Sequence, residues 1–233
     1  MTLQSKALQI PDNIFLGGHP NLFETAGRMQ LIILLKEGIY PSSKVLDIGC
    51  GCLRGGYWLI HFLDPGCYFG IEPNEEMLDI GIQEFIEPDV FSHRQPKFSN
   101  TDEFDFSVFG ETFDFFVARS IWSHAPKEQI TKMLDSFLVS SHRQSVLLTS
   151  YLRAENPEDD YIGDAWVGRS HESDTSGVVR HSLDWIRDVC HKRDLVANEV
   201  TKKGYNFGRQ VWLKITYKDA PKRDNIFRDK SVH

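Results

Sequence analysis

Cysteine is scarce in this sequence. Cys50, Cys52, Cys67 and Cys190 contain no CxxC and no paired spacing, and a chain of 233 residues with 41% hydrophobic residues can build a core without disulfide staples. They read as reduced thiols. Metal-ligand spacing is lacking too: none of the nine histidines falls in an HxxxH or HExxH arrangement, and Cys50 and Cys52 have no second pair nearby. No metal is expected. The sequence holds no uncharged apolar run of membrane-crossing length and does not open on a charged-then-apolar segment, so a cytoplasmic protein with no membrane partner is expected. Basic charge is in deficit, with 26 Lys and Arg against 33 Asp and Glu for a formal net charge of -7. No global basic field exists to hold a phosphate backbone, which argues against nucleic acid. Internal repeats and low-complexity segments are absent.

What is present is an alternation of two periodicities. "LFETAGRMQLIILL" (22–35) carries apolar residues at helical spacing after Asn21, a candidate N-cap. "KVLDIG" reads as a strand, "RGGYWLIHFL" as a helix and "CYFGIEP" as a second strand. "NEEMLDIGIQEFI" follows as a helix capped by Asn74, then "PKFSN" and "FDFFVARSI" as strands. "PKEQITKMLDSFLVSS" is a helix with Pro126 in its first turn, and "SVLLTSYL" a fifth strand. Past Leu152, "RAENPEDDYIGDAWVGRSHESDTSG" has no sustained periodicity and is too long for an ordinary connection. "SLDWIRDVCHKRD" resumes as a helix capped by Ser182, and "LVANEVTKK" and "QVWLKITYK" close the chain as strands about a "GYNFG" turn. Strands apolar on both faces and alternating with helices indicate an α/β fold with a mostly parallel sheet covered on both sides. The expected organisation is a helical segment at 1–40, a main domain at 41–218 with a long loop at 153–180, and a polar tail at 219–233.

The stretch "KVLDIGCGCLRGG" concentrates the chemistry. Gly49, Gly51 and Gly55 sit where a strand passes into a helix, so the bare backbone there can bend sharply and let a ligand approach. Glu72 ends the second strand, where a carboxylate can accept hydrogen bonds from both hydroxyls of a ribose. A dinucleotide would place its pyrophosphate at this bend, yet Asp47 stands beside it, and a carboxylate suits an ammonium better than a phosphate. S-adenosylmethionine carries an ammonium, a sulfonium and a ribose, and no phosphate.

"VLDIGCG", "FGIEPN" and "FDFFVARSIWSHAP" resemble the first, second and fourth motifs of the class I S-adenosylmethionine-dependent methyltransferases, and "NTDEFDF" occupies the place of the third. The likeness runs from about Phe23 to Tyr217. It implies a Rossmann-like sheet of seven strands with the last antiparallel, and S-adenosylmethionine as cofactor. Carried over residue by residue, Gly49, Cys50 and Gly51 would pass beneath the methionine part with Asp47 near its amino group. Glu72 would hold the ribose, with Pro73 or Asn74 beside the adenine. Asp102 would take the adenine amino group and the Glu103 backbone would meet the ring, although this motif departs from the commoner Gly-Asp-Ala form and leaves the choice open among Thr101, Asp102 and Glu103. Arg119 and Ser120 would close the pocket. "FETAGR" resembles a subgroup whose N-terminal segment folds over the cofactor, which would let Arg28 pair with the methionine carboxylate.

Methyl transfer from a sulfonium needs alignment first, and a base only if the nucleophile must lose a proton. His124, past the C-terminal end of the fourth strand, is the candidate base, with His19, His171 and His181 as rivals and His61 as a structural residue. Trp122, Tyr151, Tyr161 and Trp166 are candidates for lining the acceptor cleft. The expected reaction is O-methylation of a small metabolite such as a sugar or natural-product hydroxyl, with a homodimer as the candidate assembly. The alternatives are N-methylation of a small amine, a catalytically silent cofactor-binding protein, and a nicotinamide-dependent dehydrogenase, the last disfavoured because no separate substrate domain is present. The missing "NPPY"-type tetrapeptide after the fourth strand argues against the amino-methylating nucleic-acid and glutamine enzymes.

Overall fold

The computed structural model describes residues 2–11, 14–168, 173, 175–200 and 210–221. Seven strands form one sheet: β1 (Val45–Ile48), β2 (Tyr68–Ile71), β3 (Lys97–Ser99), β4 (Phe113–Ala118), β5 (Ser141–Tyr151), β6 (Leu195–Glu199) and β7 (Val211–Tyr217). Their order is β3-β2-β1-β4-β5-β7-β6. Pairings within β1 to β5 are parallel, and β7 runs antiparallel to both β5 and β6. The expected mixed sheet with its antiparallel last strand is therefore what the chain adopts.

Alternation along each strand sorts the side chains into two cores. Leu46 and Ile48 of β1, with Phe116 and Ala118 of β4, pack beneath α6 (Lys127–Ser140) and α7 (Leu183–His191). On the opposite face, Val45, Phe115 and Val117 pack against α2 (Phe23–Lys36) and α3 (Gly56–Phe62). Both faces being covered explains why the central strands read as unbroken apolar runs.

Local chemistry differs from expectation at several points. Asn21 is not a helix cap: His19 Nδ1 accepts from the Asn21 N–H at the head of a short 3₁₀ turn (Pro20–Leu22), and α2 follows that turn without a side-chain cap. Pro126 takes the N-cap position of α6. Two short helices escaped the sequence reading, α1 (Leu3–Ala7) and α5 (Pro88–Arg94), each too brief to show a period. Asn74 does cap α4 (Glu75–Ile80), accepting from Met77 N–H at 3.0 Å, and α4 runs on into a π turn at Gly81–Phe85. Ser182 likewise caps α7. The "GYNFG" turn, His171 and most of the polar tail lie outside the described residues. No helix among the described residues is long and apolar enough to cross a membrane.

Candidate active site

At the C-terminal end of β1 the chain turns back on itself. Gly49 N–H and Cys50 N–H both donate to the carbonyl of Ile71, at 2.8 and 3.0 Å, which pins the bend to the end of β2. Gly49 and Gly51 adopt φ of +68° and +55°, where a side chain is strained. A methyl group on Gly49 would also lie 2.3 Å from Ile121 Cδ1, so the loop after β4 rests directly on the bend. The Cys50 thiol points away, toward Gly70 of β2, and burial pushes its pKa well up, so this residue offers the site only its backbone.

Two carboxylates stand behind the bend. Glu72 is 8% exposed; one oxygen accepts from Gly51 N–H at 2.8 Å and the other from Asn74 N–H at 3.0 Å. Burial raises its pKa while these two amides pull it down. Asp47 is deeper, with Tyr68 Oη donating to it at 2.9 Å, and burial is the main reason its pKa is pushed up to about 7 from 3.8.

A stability consequence follows from that shift. A carboxyl whose folded pKa is raised binds its proton more tightly folded than unfolded, so its stabilising contribution is full below about pH 4 and lost as pH rises through 7. Asp47→Asn, which cannot ionise, should therefore melt higher than the wild type at pH 8, by up to about 4 kcal/mol, with the difference vanishing near pH 4. Thermal unfolding of both proteins across that range checks the sign; a gap that widens on acidification would contradict it.

The third wall comes from the end of β4. Ser120 has φ +65°, a conformation uncommon for a non-glycine residue, and hydrogen bonds hold it there. Its N–H donates to Ser150 Oγ at 2.9 Å, and its own hydroxyl accepts from Gln210 Nε2 at 2.7 Å. Arg119 Nη1 donates to Ser150 Oγ at 2.9 Å and to Gln210 Oε1.

These elements enclose a cavity of about 550 Å³. It brings together twelve of the sequence candidates: Asp47, Gly49, Cys50, Gly51, Glu72, Pro73, Asp102, Glu103, Arg119, Ser120, His124 and Trp166. Phe15, Leu16 and Gly17 of the N-terminal segment, with Gln30 of α2, contribute to the same wall.

Four candidates lie elsewhere. Arg28 is on the outer face of α2, half-exposed, 3.7 Å from Glu24 and over the Trp58 ring. It cannot reach the cavity because the helix turns its other face inward. Trp122 is fully buried with its indole N–H 3.2 Å from Met133 Sδ, and Tyr151 is fully buried with its hydroxyl on Glu199, so both fill the core edge. Tyr161 donates to the Ala165 carbonyl at 2.9 Å, folding back on its own segment.

In place of Arg28 the structure presents Arg54 and Gln30, which the sequence reading missed. Gln30 is 6% exposed, and no hydrogen bond joins its amide to another described residue. It occupies a position in the buried stripe Phe23, Ala26, Gly27, Gln30, Ile33 and Leu34, and a lone amide in such a stripe was the available signal. Arg54 belongs to the glycine bend itself, has no ion-pair partner among the described residues, and has its pKa lowered by burial. Gly17 and Gly18 cross over its guanidinium.

The histidines divide as well. His124 lines the cavity, and its Nδ1 lies 2.7 Å from the Val167 carbonyl, while the Val167 N–H returns a bond to the His124 carbonyl at 2.9 Å. Burial lowers its pKa, and the carbonyls of Val167 and Gly177 oppose this. His19 caps a turn, His61 bonds the Tyr57 carbonyl, and His181 is buried against the Ala125 carbonyl. Among the described residues no group of three or more His, Cys, Asp or Glu could hold a metal ion.

Magnesium protoporphyrin IX methyltransferase from Synechocystis PCC 6803, bound to S-adenosylhomocysteine, superposes with a TM-score of 0.59 at 16% identity over 88% of this chain and 90% of its own. This chain has the class I methyltransferase fold. DhpI in complex with S-adenosylhomocysteine shares that fold at TM-score 0.59 and 13% identity, covering 92% of each chain. So does the glycopeptide N-methyltransferase MtfA complexed with S-adenosylmethionine, at 0.58 and 13% over 82% of this chain and 93% of that one. No family profile and no curated protein matches the sequence.

Proposed function

We propose that this protein is an S-adenosylmethionine-dependent methyltransferase acting on an oxygen atom of a small molecule. The observation that carries the reading is the pairing of the glycine bend with Glu72 across the ends of β1 and β2, in a cavity whose polar groups match the cofactor piece by piece. Each Glu72 oxygen keeps a lone pair for a ribose hydroxyl after accepting one amide. Asp47 faces the methionine ammonium, and Asp102, Glu103 and Phe104 flank the adenine. Arg54, a cation with no ion-pair partner among the described residues, and Gln30, whose amide bonds no other described residue, both line the wall and receive the methionine carboxylate.

The fold of the neighbours supports this, as do the names of those bound to S-adenosylmethionine or its product. When bound, the cofactor supplies a methyl group already activated for in-line displacement. What remains for the protein is to fix the acceptor oxygen on the far side of that methyl and to keep water out. The segment at 153–180 serves the second purpose: Tyr161 N–H to the Arg180 carbonyl, Val179 N–H to the Ser123 carbonyl and the His124 pair fasten its described parts over the β4 end. His124 thereby anchors the cover, and its ring lines the acceptor side. The segment at 1–40 covers the cofactor end through Phe15, Leu16 and Gln30.

Calorimetry with S-adenosylhomocysteine tests the proposal, and no heat and no thermal shift would end it. Arg54→Gln should weaken that ligand by roughly 1.5 to 3 kcal/mol, the worth of a hydrogen bond to a charged group, and leave 5′-methylthioadenosine, which has no carboxylate, unaffected. Equal losses for the two ligands would remove the carboxylate assignment. Affinity should also rise between pH 6 and 8 as Asp47 ionises to meet the ammonium, and flatten in Asp47→Asn.

A further inference from the structure

The hydroxyl and amide groups at the end of β4 leave one hydrogen without a place in the protein. Arg119 Nη1 donates to Gln210 Oε1, and a guanidinium has only donors to offer, so the amide oxygen faces it and the amide nitrogen faces the other way. That nitrogen donates to Ser120 Oγ at 2.7 Å and to Ser123 Oγ at 3.3 Å, which uses both of its hydrogens. Ser150 Oγ donates to Gln210 Oε1 at 2.6 Å and accepts the Ser120 N–H and Arg119 Nη1, each at 2.9 Å. Ser123 Oγ donates to the Ser120 carbonyl at 3.0 Å.

Ser120 Oγ differs from these. It accepts from Gln210 Nε2, with Arg119 Nη1 a second donor 3.4 Å away, and among the described residues no acceptor takes its own hydrogen. Donors behind the oxygen turn that hydrogen toward the cavity, which Ser120 lines. Ser123, Ser150 and Gln210 are buried, so the direction is set by groups that water does not reach. The backbone of Ser120 is itself held at φ +65°.

The surroundings say what the hydroxyl meets. β4 lies beside β1 with Val117 opposite Asp47, and Ile121 rests on Gly49. Ser120 thus stands between the bend that carries the methionine part and His124 on the acceptor side. A donor fixed there suits an atom with a lone pair to spare. A hydroxyl oxygen has two lone pairs, one to attack the methyl group and one to accept. A neutral amine nitrogen has one and cannot do both.

We propose that Ser120 Oγ donates to the acceptor oxygen and selects oxygen over nitrogen, with Gln210 as the positioning residue that fixes the direction of its hydrogen. This deepens the methyltransferase reading and rests on it for the cofactor. In the transfer the O–CH3 bond forms as the S–CH3 bond breaks, sulfur keeps the bonding pair, and the acceptor's proton is lost to solvent. Ser120 keeps its own hydrogen throughout.

Neutron diffraction from deuterium-exchanged crystals locates that hydrogen without any acceptor. Nuclear density on the cavity side of Ser120 Oγ is expected, and density between Ser120 Oγ and a protein acceptor would overturn the proposal. Phenol and aniline, isosteric and both uncharged at neutral pH, report the selection when titrated by NMR into protein saturated with S-adenosylhomocysteine; the Phe104 and Trp166 rings in the wall suit both. Phenol should bind about three- to tenfold tighter, the worth of one hydrogen bond, and Ser120→Ala should remove the preference. Gln210→Glu puts a carboxylate oxygen where the amide hydrogens were, so that it takes the Ser120 hydrogen. The preference should then vanish with the hydroxyl still in place, an effect that a merely structural Gln210 would not produce, and one that serves if Ser120→Ala fails to fold. No phenol preference in the wild type, or a preference that survives in both variants, would overturn the proposal. Absence of any S-adenosylhomocysteine signal, with the hydrogen found on the cavity side, would instead remove the cofactor reading and leave the fixed donor standing.

Discussion

Gly27→Ala is expected to be the most damaging single methyl in the protein. A Cβ at this position would lie 1.9 Å from the Arg54 carbonyl oxygen and 2.8 Å from its carbon, both backbone atoms of the glycine bend. Nothing there can rotate aside. To make room, α2 would have to withdraw from the bend, carrying with it Phe23, Ala26, Gln30, Ile33 and Leu34, all buried on the same face. Alanine is the better helix former by about 1 kcal/mol, so propensity pulls in the stabilising direction. A clash this deep against backbone outweighs it, with a net loss of about 3 kcal/mol or more, at the upper end of what overpacking costs. Urea unfolding with parallel calorimetry would show a lower midpoint and loss of S-adenosylhomocysteine binding, because Gln30 and Arg54 are displaced together. A variant as stable as the wild type would mean that α2 is not seated on the bend.

Glu72→Ala should have the largest effect on the cofactor. The substitution removes the acceptors for Gly51 N–H and Asn74 N–H, leaves the bend tied to β2 only through the Gly49 and Cys50 bonds to the Ile71 carbonyl, and takes away the partner proposed for the ribose diol. Losing charge-assisted bonds at a residue only 8% exposed costs about 3 kcal/mol in affinity, a hundredfold or more. Glu72→Gln retains one acceptor oxygen but turns amide hydrogens toward one of the two backbone donors, so an intermediate loss is expected. A 2′-deoxy analogue of S-adenosylhomocysteine separates the two roles. If the diol binds Glu72, the analogue is weaker than the parent on wild type and equal to it on Glu72→Ala. Unchanged affinity in Glu72→Ala would remove the ribose assignment.

How much of this was legible in the residue order differs from element to element. The glycine bend, Asp47 and Glu72 were visible because their chemistry is local: a strand end, a bend that excludes side chains and a carboxylate at the next strand end all lie within one βαβ unit. The central strands were visible because burial on both faces leaves unbroken apolar runs. The likeness of "FETAGR" to a subgroup whose N-terminal segment folds over the cofactor pointed to Arg28 as the carboxylate partner, yet residues 28 and 30 differ by two positions and so face opposite sides of α2. Trp122 and Tyr151 follow strand ends as an acceptor wall would, but the direction of each ring is set by Met133 and Glu199, which are distant in sequence.

The order of residues by itself determined the alternation of strands and helices, the two-sided burial of the sheet and the bend at its centre, since each follows from periodicity and backbone sterics within a few neighbours. Only the tertiary structure decided that Gln30 faces inward over Gly55 of the bend, that Gln210 reaches back to orient Arg119, and that His124 is fastened to Val167. Those contacts join residues up to 91 positions apart, and no short-range pattern encodes them. They depend on how far one element can slide against another before backbone meets backbone, which is why a glycine as inconspicuous as Gly27 sets the shape of the site.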